Sequence, residues 1–312
     1  MKILYGVQLT GNGHISRSTI IINKLKSLGH GVDIITSGSG SNLLLPNVKY
    51  KFNGLTLQYT GGKINWIKTI LKSKPITFIK DIRLDISQYD LVISDFEPIS
   101  AWSAKLSGVK SISICNQMSI VINNSKWNIS KLFIKYFAKC DHLIGFDYIS
   151  SDNIFQPICD IPLDKVGVDN FYLVYLPYIN NEDLLNILSG ANFKVYTNQD
   201  IIGKKKNIEV KKINKDEFTL DLIRCKGVIT NSGFSTTSEA LILNKKLWSI
   251  PITGQYEQEI NAQKLLEMGV YTNKLNRSNL FNWLNNSSFI RYRWSDPIDD
   301  IIKKIICIYE KD

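Results

Sequence analysis

Two places in this 312-residue sequence gather side chains that could do chemistry. The first is the turn Gly11-Asn12-Gly13-His14, with Arg17 three residues beyond the histidine. An imidazole can take or give a proton near neutral pH, which suits it to general base work. The second lies in the stretch Val228 to Gly269. There Asn231-Ser232-Gly233 reads as a tight turn, followed by Phe234, the hydroxyls Ser235, Thr236, Thr237 and Ser238, and then Glu239. A helix N-terminus carries unpaired N–H groups and the positive end of the dipole, so this junction suits a phosphate. A polar loop, Thr253 to Glu259, follows with Gln255, Tyr256, Glu257 and Gln258. Each place also has a plainer reading. His14 could cap or pack its helix, and Ser and Thr cap helices in many α/β units.

The elements around these residues follow from periodicity. Lys2 to Gln8 reads as a strand, and Ile15 to Leu28 as a helix with Ile20, Ile21, Leu25 and Leu28 on its apolar side. Gly29-His30-Gly31 ends that helix, and Val32 to Thr36 is the next strand. Strand, Gly turn, helix and strand in this order predict a right-handed βαβ unit with a parallel sheet. His14 then sits at the C-terminal edge of the first strand, where such sheets hold ligands. The turn lacks the full dinucleotide fingerprint and no acid ends the second strand, which argues against a nicotinamide site.

Lys49 to Gln58 predicts a further strand. Gly61 to Arg83 reads as helical segments broken at Pro75, with Trp66, Ile67, Ile70, Leu71, Phe78 and Ile79 between lysines. Tyr89 to Phe96 is a buried strand ending at Asp95, with Glu97 just beyond. Trp102 to Leu106 is helical, Gly108 ends it, and Lys110 to Cys115 is a strand. In Trp127 to Phe146, Phe133, Ile134 and Phe137 would face the core while Lys131, Lys135 and Lys139 face out, either to solvent or to an acceptor-side surface. Ser150 to Asp169 reads as an irregular connection. A second domain begins near Asn170, with strands at Phe171 to Tyr178, Phe193 to Thr197 and Ile208 to Ile213. A turn at Lys204-Lys205-Lys206 precedes the last of these. Helices at Asn181 to Leu188 and Asp216 to Cys225 complete its repeated βα units. Asp296 to Tyr309 spaces its isoleucines as a terminal helix.

Composition bounds the class. Hydrophobic residues make up 44% and charged residues 21%, so the chain is globular and long enough for two domains. No apolar run approaches the roughly 20 residues that cross a bilayer, and MKILYGVQL reads as a core strand rather than a signal peptide. The five cysteines, 115, 140, 159, 225 and 307, are scattered. They read as free thiols in a reducing cytoplasm, neither a disulfide frame nor a zinc site. His14, His30 and His142 form no metal-ligand spacing. Of the net charge of +10, residues 1–170 hold 19 Lys+Arg against 12 Asp+Glu, and residues 171–312 hold 19 against 16. The excess in the first half is concentrated in Gly61–Arg83 and Val121–Cys140. It is either a solvated surface or a field for an anionic partner.

The stretch from Asn231 resembles the donor-binding half of GT-B nucleotide-sugar glycosyltransferases. In plant UDP-glycosyltransferases the matching segment reads HCGWNSxxE, a Gly-Val-Pro turn, then D/E-Q-x-x-N-A. Here Asn231 to Glu239, Ile250-Pro251 and Glu257-Gln258-Glu259-Ile260-Asn261-Ala262 are similar. Asn231 stands where the plant pattern has His, and Asn cannot carry a charge. The bacterial enzyme that adds N-acetylglucosamine to the lipid-linked peptidoglycan precursor is arranged similarly. Gly13-His14 looks like the plant enzymes' base site, and Ser94-Asp95-Phe96 like their strand-ending Asp-Phe.

The resemblance implies a GT-B fold, α/β, with two Rossmann-like domains whose parallel sheets face across a cleft. It implies an acceptor-side domain at 1–169, a donor domain at 170–295, and a terminal helix at 296–312 packing back on the first. His14 would be the base and Asp95 its orienting partner, with Glu97 the rival base and Asp95 alternatively a helix cap. Gly11, Asn12, Gly13 and Arg17 would lie on the acceptor side. The donor set would be Ser232 to Thr237, Glu239 for the ribose, and Gln255, Tyr256, Glu257 and Gln258 toward the sugar. The reaction implied is inverting transfer from a nucleotide-sugar, with UDP foremost, without a metal or a resident cofactor. The acceptor implied is a cell-envelope glycan or glycolipid, with a hydroxymethylated DNA base as the alternative. The protein would be cytoplasmic or peripheral at the inner membrane face. A nucleotide-sugar epimerase and a non-catalytic binder are the other open classes.

Overall fold

A computed structural model describes residues 1–40, 45–55, 59–60, 63–64, 75–123, 129–177, 179–199 and 203–311. The chain divides into two compact units, Met1–Asp160 with Ser295–Asp312, and Ile161–Trp294. The second unit therefore starts upstream of Asn170, and the terminal segment belongs with the first.

In the first unit β1 (Lys2–Gln8) leads into α1 (Asn12–Ser27), β2 (Gly31–Ser37) and β3 (Val48–Phe52). A two-stranded hairpin, β4 (Tyr59–Thr60) and β5 (Lys63–Ile64), precedes α2 (Pro75–Asp81). Then come β6 (Leu91–Asp95), α3 (Pro98–Ser107), β7 (Ser111–Cys115), α4 (Gln117–Ile122), α5 (Ile129–Phe137), β8 (His142–Phe146) and β9 (Ile154–Phe155). The seven-stranded sheet runs β3-β2-β1-β6-β7-β8-β9 and every pairing is parallel. Its central strands are buried on both faces, which is why they read as continuous apolar runs. Gly145 lets β8 meet α4, because a Cβ there would lie 2.7 Å from the Ser119 backbone N.

One reading of this unit changes, at Lys131. Pro75 is the first residue of α2, where its missing N–H would have no intrahelical partner in any case. Residues 61–62 and 65–74, with Trp66, Ile67, Ile70 and Leu71, and Trp127 lie outside the described residues. Lys131 is buried, and its ammonium donates to the Asn123 carbonyl 3.2 Å away instead of facing out.

In the second unit a short 3-10 turn, Leu163–Lys165, precedes β10 (Tyr172–Tyr175), α6 (Asn181–Ile187), β11 (Phe193–Thr197), β12 (Gly203–Lys205), β13 (Ile208–Lys212) and α7 (Lys215–Arg224). β14 (Gly227–Asn231), α8 (Phe234–Ile242), β15 (Lys246–Ile250), α9 (Tyr256–Glu267) and α10 (Arg277–Asn286) follow. The sheet order is β12-β13-β11-β10-β14-β15, parallel except for edge strand β12. The Lys204-Lys205-Lys206 segment is thus mostly strand, not turn. Trp248 and Trp283 fill this core, and the Trp248 indole N–H donates to the Asn273 carbonyl at 2.8 Å.

The last helix, α11 (Ile298–Lys311), buries Ile301, Ile302 and Ile305 in the first unit. Lys24 pairs with Asp299 at 2.7 Å, and the Lys110 ammonium donates to the Tyr309 carbonyl at 2.9 Å. A cation at a helix C-terminus is favoured by the dipole. Among the described residues no helix is long and apolar enough to cross a membrane.

Candidate active site

The first unit's sheet brings His14 and Asp95 together through strand register. β1 and β6 are neighbours, and Val7 stands beside Asp95. The chain leaving β1 turns at Gly11, whose backbone is extended, and α1 begins at once. His14 falls in the first turn of α1, directly above the end of β6. Its Nδ1 lies 2.7 Å from Asp95 Oδ1. Arg17 and Ser18, at three and four residues along the same helix face, reach the same carboxylate. Arg17 Nε donates to Oδ2 at 3.0 Å, Arg17 Nη2 donates to Oδ1, and Ser18 Oγ donates to Oδ2 at 2.9 Å.

The tautomer follows from chemistry. A carboxylate only accepts, so His14 Nδ1 must carry the proton that it shares with Asp95. Nε2 is left with its lone pair, which is the form a general base needs. Burial alone would push the Asp95 carboxyl up. The Arg17 guanidinium and His14 outweigh it and hold Asp95 below the usual carboxylate range. Burial would likewise lower Arg17, and Asp95 more than offsets it. Cys115, buried close by, is pushed up to about 12, so its thiol stays protonated.

Phe96 forms the wall of this site. Its φ of 54° lies in the left-handed region, which costs a side-chain-bearing residue about 1–3 kcal/mol. That conformation sets its ring 6.3 Å from the His14 ring at an interplanar angle of 8°, with Phe137 stacked behind at 4.7 Å.

Glu97 is placed otherwise. Its side chain caps α3, accepting from the N–H groups of Ile99 at 2.9 Å and Ser100 at 2.6 Å, and from Ser37 Oγ at 2.5 Å. It is Glu97, not Asp95, that serves as the helix cap. Burial pushes its carboxyl up, and these hydrogen bonds offset that only in part. Arg17 also departs from expectation. It is buried against Asp95 and does not present its guanidinium on the acceptor side; Gly11, Asn12 and Gly13 are partly or fully exposed.

In the second unit the N-cap of α8 is Gly233, which has no side chain to accept from the first-turn N–H groups. Ser235 is exposed and Thr236 partly so. The other hydroxyls point elsewhere. Ser232 Oγ shares a hydrogen bond with Ser249 Oγ at 2.7 Å, and Thr237 Oγ1 donates back to the Gly233 carbonyl at 2.8 Å. Phe234 and Thr237 are buried. The expectation that hydroxyls as far as Thr237 reach a phosphate is corrected on that ground. Asn231 Nδ2 donates to the Ile250 carbonyl at 2.9 Å, which ties β14 to β15. Glu239 is partly exposed on the second turn of α8.

The segment read as a loop to Glu259 becomes helical at Tyr256, with Gln255 as N-cap. Glu257 lies in its first turn, favoured by the dipole. Tyr256, Glu257 and Gln258 are partly exposed. Gln258 Oε1 accepts from the Ile252 N–H at 3.1 Å and so fixes the turn before α9.

Three contacts escape a reading by motif, the third made by Asn261 of the matched segment Glu257 to Ala262. Ser18 completes the i, i+3, i+4 face of α1. Asn116, just past β7, accepts from Arg17 Nη1 at 3.5 Å. Asn261 donates to the Ser232 carbonyl at 3.0 Å and holds α9 against the turn before α8. The spacing His14-Arg17-Ser18 was the available signal for the first; the other two depend on contacts distant in sequence.

The model of Glycosyl transferase family 1 matches residues 1–141 and 161–287. No curated protein matches the chain. Among solved structures, spinosyn forosaminyltransferase SpnP is similar with a TM-score of 0.64 at 13% identity, over 99% of this chain and 100% of that one. Arabidopsis thaliana UGT89C1, complexed with UDP, gives 0.61 at 13%, over 97% and 93%. Acinetobacter baumannii MurG gives 0.61 at 15%, over 98% and 99%. Identities this low speak for the fold alone, which is GT-B. The family match spans most of the chain, and this protein belongs to glycosyl transferase family 1 and is a glycosyltransferase.

Proposed function

We propose that the protein transfers a sugar from a nucleotide-sugar, UDP foremost, to an acceptor hydroxyl with inversion and without a metal. The observation that carries this reading is the His14–Asp95 pair, 2.7 Å apart, at the C-terminal edge of the first unit's parallel sheet. The acceptor binds on the first unit, beside Gly11, Asn12 and Gly13. His14 Nε2 takes the hydroxyl proton as the acceptor oxygen forms its bond to the anomeric carbon. The bond from that carbon to the diphosphate breaks, and its electron pair leaves with the nucleotide. The imidazolium then returns its proton to solvent or product. Asp95 stabilises that imidazolium and fixes the ring.

The donor rests on the second unit. The first-turn N–H groups of α8, with Ser235 and Thr236, hold the diphosphate and stabilise its departing charge. Glu239 accepts from the ribose hydroxyls, and Glu257 with Gln258 contacts the sugar. A UDP-bound structure among the similar folds supports UDP as the first donor to test. The acceptor is a cell-envelope glycan or glycolipid, reached by a cytoplasmic protein at the inner membrane face.

The test is a transfer assay with a panel of nucleotide-sugars against lipid extract and against hydroxymethylated duplex DNA. Product in the lipid arm that disappears in His14→Ala supports the reading. Product only with DNA, and lost steeply as salt rises, transfers the acceptor to nucleic acid. Sugar conversion without any acceptor indicates an epimerase and contradicts it.

A further inference from the structure

We propose that Arg17 is a positioning residue that keeps His14 unprotonated at rest by balancing the charge of Asp95. This rests on the proposed role of His14 as base. Asp95 is wholly buried and receives four hydrogen bonds, two of them from the Arg17 guanidinium. Arg17 is itself buried, lies 5.1 Å from the Phe146 ring centroid, and places Nη2 3.2 Å from His14 Nδ1. Nδ1 already carries a proton toward Asp95, so the guanidinium does not bond to it. It stands beside it as a like charge whenever the imidazole is protonated.

Among the described residues, Arg17, Asp95 and Phe96 lie against His14, and Ser18, Tyr5, Cys115 and Asn116 surround the Arg17–Asp95 pair. Burial pushes Tyr5 and Cys115 up, so both stay neutral. Asp95 and Arg17 are the only fixed charges among these. Without Arg17, a buried carboxylate would draw a proton onto the imidazole to balance itself. The resting site would then be an imidazolium–carboxylate pair, which cannot accept a proton from a substrate. With Arg17 present, Asp95 is already compensated, and it still orients the ring.

Arg17→Met keeps side-chain length and removes the charge. The acid limb of its kcat/KM profile is expected to rise by about one to three pH units, with activity returning at alkaline pH. An equal loss across the whole profile would show that Arg17 only holds the fold, and would overturn the proposal. Arg17→Lys keeps a charge in a different shape. It is expected to slow turnover with the acid limb unmoved, and a limb that rises as in Arg17→Met would contradict the charge argument. This variant carries the test should Arg17→Met fail to fold. NMR of the His14 ring signals reads the same effect without substrate. The protonated fraction at pH 7 should increase in Arg17→Met, and no change would overturn the proposal. Absence of any transferase activity, by contrast, would remove the proposed reaction and leave the NMR result standing.

Discussion

His14 Nδ1 and Asp95 Oδ1 lie 2.7 Å apart although 81 positions separate the two residues. The turn after β1 and the end of β6 meet because those strands are neighbours in a parallel sheet. That contact leaves Nε2 as the only atom of the ring able to accept a proton. His14→Ala is therefore expected to reduce kcat by about 100- to 10,000-fold, the usual range for a lost general base. Nucleotide affinity should change little, since the proposed donor residues belong to the other unit. Calorimetry and kinetics on the one variant separate the two effects, and full turnover would remove His14 from the reaction.

Asp95→Asn carries a cost beyond catalysis. It leaves the buried Arg17 guanidinium without its counter-charge, and breaking such a pair from one side costs about 3–5 kcal/mol. Urea unfolding should show a loss of that order. A change under about 1 kcal/mol would mean that water or another group takes over from Asp95.

Glu97 gives the protein a pH dependence of stability. Its folded carboxyl titrates above the ordinary glutamate value because it is buried. The folded state thus holds a proton that the unfolded state has already released. The contribution is fully present below the unfolded value and is lost as pH rises through the folded one. Wild type should lose stability over that interval more steeply than Glu97→Gln when both are unfolded in urea at a series of pH values. Parallel curves would show that the capping hydrogen bonds cancel the effect of burial.

Gly145→Ala should destabilise the first unit by about 1–3 kcal/mol, as overpacking does. The new Cβ would meet the Ser119 backbone N at 2.7 Å and its Cα at 2.9 Å, and backbone cannot rotate away. A thermal melt superimposed on wild type would mean that α4 shifts freely.

Much of the fold was legible because parallel strands buried on both faces write themselves as apolar runs. β1 and β11 match their expected bounds, and Gly108 ends α3 in the left-handed conformation that favours glycine. Short edge elements were not legible. β9 is two residues long and β12 three, and both depend on neighbours for their form. At the site, residue types pointed to His14, Asp95 and the Gly233 turn. The role of Arg17 was hidden, because its guanidinium could equally face a substrate or a carboxylate. Only the position of β6 decides that. The hydroxyl run after Gly233 likewise suggested uniform contacts, yet helical rotation turns Thr237 inward and leaves Ser235 outside.

The most direct test is a calorimetric titration of wild type and Glu239→Ala with UDP, then with other nucleoside diphosphates and their sugars. One nucleotide should bind wild type, and the variant should bind it about 10- to 100-fold more weakly, the cost of about 1.5–3 kcal/mol for hydrogen bonds to a charged group. Binding of no nucleotide, or equal binding by both proteins, would contradict a donor site built on α8.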